Sequence, residues 1–182
     1  MIKVNTLVQQ SSGLSVAELF ETQVLKNPKS LAVIDSNGKK YSYKDFLNRV
    51  LSLSSILKLK GLKPGDRVAI ISENRMEYLE LQIAAAKVGI IVAAINWRLS
   101  DKEMKYCVNL VKPKFLFFSE RYKNKISIFS SKRKYETVIY NKNYEHNIKI
   151  TKPYRGKSLA SGEDVLIILY TSGTTGDPKG AM

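Results

Sequence analysis

The feature that most restricts how this chain can fold is a set of short apolar runs that do not alternate with polar residues. They are Val68-Ala69-Ile70-Ile71, Ile90 to Ile95, Phe115-Leu116-Phe117-Phe118 and the run from Asp164 to Leu169. A strand with one wet face alternates, so uninterrupted runs indicate strands buried on both faces, the condition of a parallel sheet covered by helices. Between the first two runs, from about Arg75, Met76, Leu79, Ile83 and Ala86 recur at helical spacing and Gly89 marks an end. Strand, helix and strand in that order pair in parallel through a right-handed crossover. The expected class is α/β, a mostly parallel sheet flanked by helices.

The remaining elements follow from local signals. Ser15-x-x-Glu18 and Ser100-x-x-Glu103 read as capping boxes. The first opens a helix with Leu19, Phe20 and Val24 on one face, ended by Asn27-Pro28; the second opens one turning Met104, Cys107, Val108 and Val111 inward, ended by Lys112-Pro113. Leu31–Ile34 and the segment around Tyr41 flank Ser36-Asn37-Gly38, which predicts a hairpin. Ser42 caps a helix bearing Phe46, Leu47, Val50, Leu51 and Leu57 and closing at Gly61, and Pro64-Gly65 turns the chain into the first buried run. Ser119 to Ser131 reads as helical, Thr137–Tyr140 as a short strand, and 141–162 as a long polar loop. Glu73, Glu77 and Glu80 could pair for acid–base work, but the expectation is the wet face of a helix.

The last apolar run opens into Tyr170-Thr171-Ser172-Gly173-Thr174-Thr175-Gly176-Asp177-Pro178-Lys179-Gly180. A buried strand ending this way delivers polar groups to the carboxyl edge of the sheet, where ligands of open α/β sheets bind. Gly173, Gly176 and Gly180 permit positive φ and close backbone approach. Successive amides in such a turn form an anion-attracting nest. Thr171, Ser172, Thr174 and Thr175 add hydroxyl donors, and Lys179 adds a charge on a long stem. The spacing is not that of a P-loop, which places four residues between its first glycine and Gly-Lys-Ser/Thr. Pro178 also disfavours helical geometry at Asp177, so no helix amino end is expected directly beneath the turn. The segment reads as a cover over phosphate rather than a helix-based cradle.

Composition narrows the class. A chain of 182 residues suits one domain with a proper core, and its balance of apolar and charged residues is that of a soluble globular protein. One cysteine, Cys107, excludes an internal disulfide and fits a reducing compartment; it is expected to pack. One histidine, His146, cannot build a histidine metal cluster and is expected on a surface loop. Met1 to Asn5 lack the apolar core of a secretory signal, and the stretch from Ile83 to Ile95 is short for a membrane span and contains Lys87. A cytoplasmic location is the default.

The net charge is +14, and eleven basic residues between Arg121 and Lys157 face only Glu136 and Glu145. Tyrosines 122, 135, 140, 144 and 154 are interleaved, a pattern that suits phosphate contacts and base stacking. No nucleic-acid motif accompanies the charge, so a solvated lysine-rich surface is the favoured reading. A non-catalytic basic module binding nucleic acid or acidic partners through residues 121–157 stands as the alternative from another class.

Residues 170–180 resemble the signature loop of the adenylate-forming (AMP-binding) superfamily, which includes acyl-CoA synthetases, aryl-CoA ligases, firefly luciferase and peptide-synthetase adenylation domains. Two more blocks resemble it: Gly65-Asp66-Arg67-Val68-Ala69-Ile70 with Asn74 and the helix to Gly89, and Ile95-Asn96-Trp97-Arg98-Leu99-Ser100, like the Asn-x-Arg-Leu block of acyl-CoA synthetases. Order and approximate spacing agree over most of residues 15–182. For Asn96, Trp97 and Arg98 themselves, packing is favoured over ligand contact: an Asn turn, an aromatic plug and an Arg anchor.

The resemblance implies that 1–182 is the amino-terminal portion of one AMP-binding domain, with a lead segment to about residue 14 and no carboxy-terminal domain. It implies an ATP-dependent carboxylate–CoA ligase that forms acyl-AMP and then acyl-CoA from a carboxylic acid, ATP with Mg²⁺, and CoA. Peptide-synthetase adenylation and luciferase-like members stay open. Thr171, Ser172, Gly173, Thr174, Thr175, Gly176 and Lys179 are the implied ATP-phosphate contacts, and no catalytic residue is assigned. The family's acidic Mg²⁺ motif, ribose-binding aspartate and catalytic lysine do not occur in these residues, and Lys179 is not that lysine. The chain alone is therefore expected to be inactive, with its last strand left partly uncovered.

Overall fold

The computed structural model describes residues 13–129, 135–171 and 178–182. In chain order the elements are α1 (Val16–Lys26), β1 (Leu31–Ile34), β2 (Lys40–Ser42), α2 (Tyr43–Leu59), β3 (Arg67–Ile71), α3 (Met76–Val88), β4 (Ile91–Ile95) and α4 (Asp101–Val111). Then come β5 (Phe115–Ser119), a 3-10 segment (Glu120–Phe129), β6 (Glu136–Tyr140), α5 (Lys142–Ile150), β7 (Ile167–Thr171) and β8 (Lys179–Ala181). Both capping boxes form. Ser15 N donates to Glu18 Oε2 at 2.8 Å and Ser100 N to Glu103 Oε2 at 2.8 Å, while each serine hydroxyl accepts the returning amide. These reciprocal bonds satisfy donors that the first turn of a helix leaves open. The hairpin β1–β2 and the Ser42 cap on α2 are also as expected.

The main sheet has the order β6-β5-β3-β4-β7-β8, parallel throughout except for the antiparallel β7–β8 pair. Alternate residues of the same strands serve two cores. Val68, Ile70, Val92, Phe115 and Phe117 pack with α2, α3 and α5 on one face. Ala69, Ile71, Ala93, Ile95, Leu116 and Phe118 pack with Met104, Cys107 and Val108 of α4 on the other. This two-sided burial is why the runs read as uninterrupted apolar sequence.

The turn joining α3 to β4 depends on Gly89, which has φ of +72°. A Cβ there would stand 3.0 Å from Pro64 Cβ and 3.2 Å from the carbonyl oxygen of Leu159. Gly89→Ala therefore combines backbone strain with a clash, and is expected to lower stability by more than about 1 kcal/mol in urea titrations.

Three expectations need correction. Residues 142–150 form helix α5 where a polar loop was expected. Asn141 Oδ1 caps it by accepting from the amides of Asn143 and Tyr144, and only Tyr144 and Ile148 point to the core. Two apolar residues four apart on a polar background give a weak periodic signal, and His146 lies exposed on this helix rather than on a loop. The run from Asp164 is not a strand buried on both faces: the last parallel strand begins at Ile167 and, in keeping with the partly uncovered last strand expected above, is buried on one face only. Ile168 and Tyr170 pack toward α4, while Leu169 is 51% exposed because no described helix covers that side of β7. The segment after β5 is helical as expected, in 3-10 form, with non-helical backbone at Tyr122. Finally, Glu77 and Glu80 are buried instead of wet, Glu80 completely. Arg75 meets Glu77 from two residues away and Arg49 of α2 meets Glu80, which no helical-face pattern reveals.

Candidate functional site

The chain leaving β3 enters α3 on one face, whereas the chain leaving the adjacent β4 enters α4 on the other. Neighbouring strands that diverge in this way open a crevice at their carboxyl ends. The same edge gathers the ends of β3, β4, β5 and β7: residues 72–75, 96–98, 119–121 and Thr171.

At the end of β3, Ser119 Oγ donates to Glu73 Oε2 at 2.6 Å, which ties the exits of β3 and β5 together. Arg75 binds Glu77 through two bonds of 2.7 Å, and that pairing raises its pKa from the ordinary range. Deeper in, Glu80 Oε2 accepts from Arg49 Nη2 at 3.0 Å, and Arg49 grips Glu145 with two further bonds of 2.7 Å. Burial pushes the Glu80 carboxyl up to about 7, against the opposing pull of Arg49. The cluster bolts α2, α3 and α5 together, and sequence spacing could not have found it because the partners lie 31 and 96 residues apart.

At the end of β4, Asn96 Oδ1 accepts from the amide of Arg98 at 3.0 Å, the expected Asn turn. Trp97 packs against the core and stacks on Tyr122 with ring centroids 5.6 Å apart. Among the described residues no carboxylate pairs with Arg98. It lies exposed with its guanidinium 4.8 Å from the Trp97 ring centre, and Arg121 approaches the same ring at 5.8 Å.

At the end of β7, Thr171 and Lys179 are register partners on the antiparallel β7–β8 pair, with Thr171 Oγ1 and the Lys179 carbonyl oxygen 3.5 Å apart. Both side chains are exposed, and among the described residues no carboxylate pairs with Lys179. Ser172, Gly173, Thr174, Thr175 and Gly176 lie outside the described residues. Thr171 and Lys179 are thus the two predicted contacts whose places are known, side by side and open to solvent at the carboxyl edge. Such a pair offers one hydroxyl donor and one cation to an anion. The Cys107 thiol is buried and burial pushes it up to about 11, so it stays protonated and packs, as expected.

Among the described residues, no group of three or more His, Cys, Asp or Glu could hold a metal ion, and no helix is long and apolar enough to cross a membrane. The described basic residues of 121–157 are divided between the two faces of the sheet. Arg121, Lys123 and Lys125 follow the 3-10 segment on the α4 side of the sheet, whereas Lys142 and Lys149 lie on α5 across it. Lys132, Arg133 and Lys134 lie outside the described residues.

The family described as AMP-binding enzyme matches residues 20–182. The chain is 30% identical over 184 residues to 3-oxocholest-4-en-26-oate–CoA ligase of Rhodococcus rhodochrous, covering 93% of this chain and 33% of that protein. It is 29% identical over 158 residues to luciferin 4-monooxygenase of Photuris pensylvanica, covering 77% of this chain and 29% of that one. A solved Mycobacterium tuberculosis fatty acyl CoA synthetase superposes with a TM-score of 0.83 over 91% of this chain and 34% of its own, at 21% identity, a likeness of fold. The chain therefore spans about a third of the length of the curated relatives it matches.

Proposed function

The chain belongs to the AMP-binding enzyme family, and from that premise we propose that it is the amino-terminal portion of an ATP-dependent carboxylate–CoA ligase acting in the cytoplasm. The observation that carries the reading is the exposed Thr171–Lys179 pair at the carboxyl edge of the sheet. The hydroxyls of Thr171, Ser172, Thr174 and Thr175, the amides of Gly173 and Gly176, and Lys179 would contact the β- and γ-phosphates of ATP. In the whole enzyme a carboxylate attacks the α-phosphorus and pyrophosphate leaves; the thiol of CoA then displaces AMP to give acyl-CoA. The part supplied by this chain is donors and a cation held ready for the charge on the departing phosphates. Mg²⁺ would accompany ATP, since no described residues are arranged to hold it.

Relatives named as CoA ligases, together with Asn96-Trp97-Arg98-Leu99, favour CoA ligation over the luciferase-like or peptide-synthetase alternatives. The division of the basic residues between two faces counts against a single polyanion surface at 121–157. Isothermal titration of the 182-residue chain with Mg·ATP is expected to give a weak affinity, on the order of 1 mM, because phosphate contacts alone are few. Pyrophosphate release from ATP and a carboxylic acid should be absent, since one loop cannot position all reactants. Mg²⁺-dependent adenylation by this chain would contradict the reading. Salt-sensitive binding to unrelated polyanions that is indifferent to Lys179→Ala would favour the basic module instead.

A further inference from the structure

We propose that Tyr170 and Gly180 form a clamp that fixes the base of β7–β8 onto helix α4, making Tyr170 a positioning residue for the phosphate contacts of Thr171 and Lys179; the proposal rests on the phosphate reading of that site. The Tyr170 hydroxyl donates to the backbone carbonyl of Cys107 in α4 at 2.8 Å. Its ring packs against the α4-side core, next along the strand from buried Ile168. Gly180 is the register partner of Tyr170. A Cβ at Gly180 would lie 3.0 Å from Ile168 Cγ2 and 3.9 Å from Tyr170 Cε1. The absence of a side chain there lets β8 settle directly onto the two residues that grip α4.

The geometry explains what holds this strand pair. On the opposite face β7 shows Leu169 to solvent, and β8 is exposed along its three residues. The α4 side is thus the anchored side, and the Tyr170 hydroxyl is the polar contact that ties the pair to it. Thr171 follows Tyr170 directly and Lys179 precedes Gly180 directly, so movement of the clamp moves both contacts together. Helix α4 is itself held by the Ser100–Glu103 box and by its core residues Met104, Cys107 and Val108, so the anchor is a rigid element.

The test uses the 182-residue chain with Tyr170→Phe, which keeps the ring and removes only the hydroxyl, and Gly180→Ala, which acts from the other strand. Amide exchange of Leu169, Thr171 and Ala181 is expected to quicken about two- to tenfold in Tyr170→Phe, the equivalent of one lost hydrogen bond. The urea midpoint should fall by no more than that one bond, while affinity for Mg·ATP at fixed folded fraction falls by a similar factor. Gly180→Ala should reproduce both local effects. A merely structural tyrosine would leave affinity at fixed folded fraction unchanged; that result, or unchanged exchange, overturns the clamp while leaving the phosphate reading intact. If the unaltered chain takes no Mg·ATP, the phosphate reading falls and this proposal falls with it.

Discussion

Lys179→Ala is expected to weaken Mg·ATP binding to this chain about tenfold. A hydrogen bond to a charged group contributes roughly 1.5–3 kcal/mol, and the lower end applies because Lys179 is exposed and its charge is screened by water and salt. The lysine is free for this role: among the described residues it has no carboxylate partner, unlike Lys60, Lys87, Lys114 and Lys125, each of which binds an acid. Its removal should also flatten the salt dependence of binding, since one fewer cation faces the phosphates. Folding should be untouched, because the side chain stands outside both cores. Affinity measured at two ionic strengths, with the urea midpoint as a control, checks both parts.

The largest effect on stability is expected at Arg49. Arg49→Ala leaves Glu80 buried with no counter-charge and releases Glu145, so a loss of roughly 3–5 kcal/mol is expected in urea titrations. The same cluster predicts a pH dependence. The Glu80 carboxyl titrates near 4.5 when unfolded and is raised to about 7 in the fold by burial. Between those values the folded chain holds a proton that the unfolded chain has released, so stability falls as pH rises from about 4.5 to about 7 and then levels. The groups around Glu80 do not cancel this slope: Arg49 stays charged, and burial raises the hydroxyls of Tyr140 and Tyr144 well above their ordinary range. Glu80→Gln should remove the slope while keeping the shape of the side chain. An unchanged slope in that variant would assign the dependence to other groups.

The contrast between these two sites shows what a sequence displays. Uninterrupted runs announced β3, β4 and β5 because two-sided burial leaves no polar position to break them. Serine and glutamate three apart announced the starts of α1 and α4 because the capping bonds are local. The Arg49–Glu80–Glu145 cluster was invisible, since its attraction is between distant segments, with Arg49 on α2, Glu80 on α3 and Glu145 on α5. Helix α5 was hidden by having only Tyr144 and Ile148 as its inner face. For β7 the apolar composition was legible, and its partly uncovered state followed from the resemblance, but which side stays bare was not, because coverage depends on which helices lie over which strands. At the candidate site, Thr171 and Lys179 were read from a local motif, whereas the bond from Tyr170 to Cys107 needed the fold.

Paramagnetic broadening by ATP bound to Mn²⁺ in place of Mg²⁺ tests the central claim most directly, because it reports where on the chain the polyphosphate lies. The account predicts that amide signals of Thr171, Lys179 and Gly180 broaden first, that Trp97 and Arg98 at the end of the neighbouring strand β4 follow, and that Lys142, Lys149 and the β1–β2 hairpin are spared. Broadening centred on residues 142–157, with Thr171 and Lys179 sharp, would contradict it.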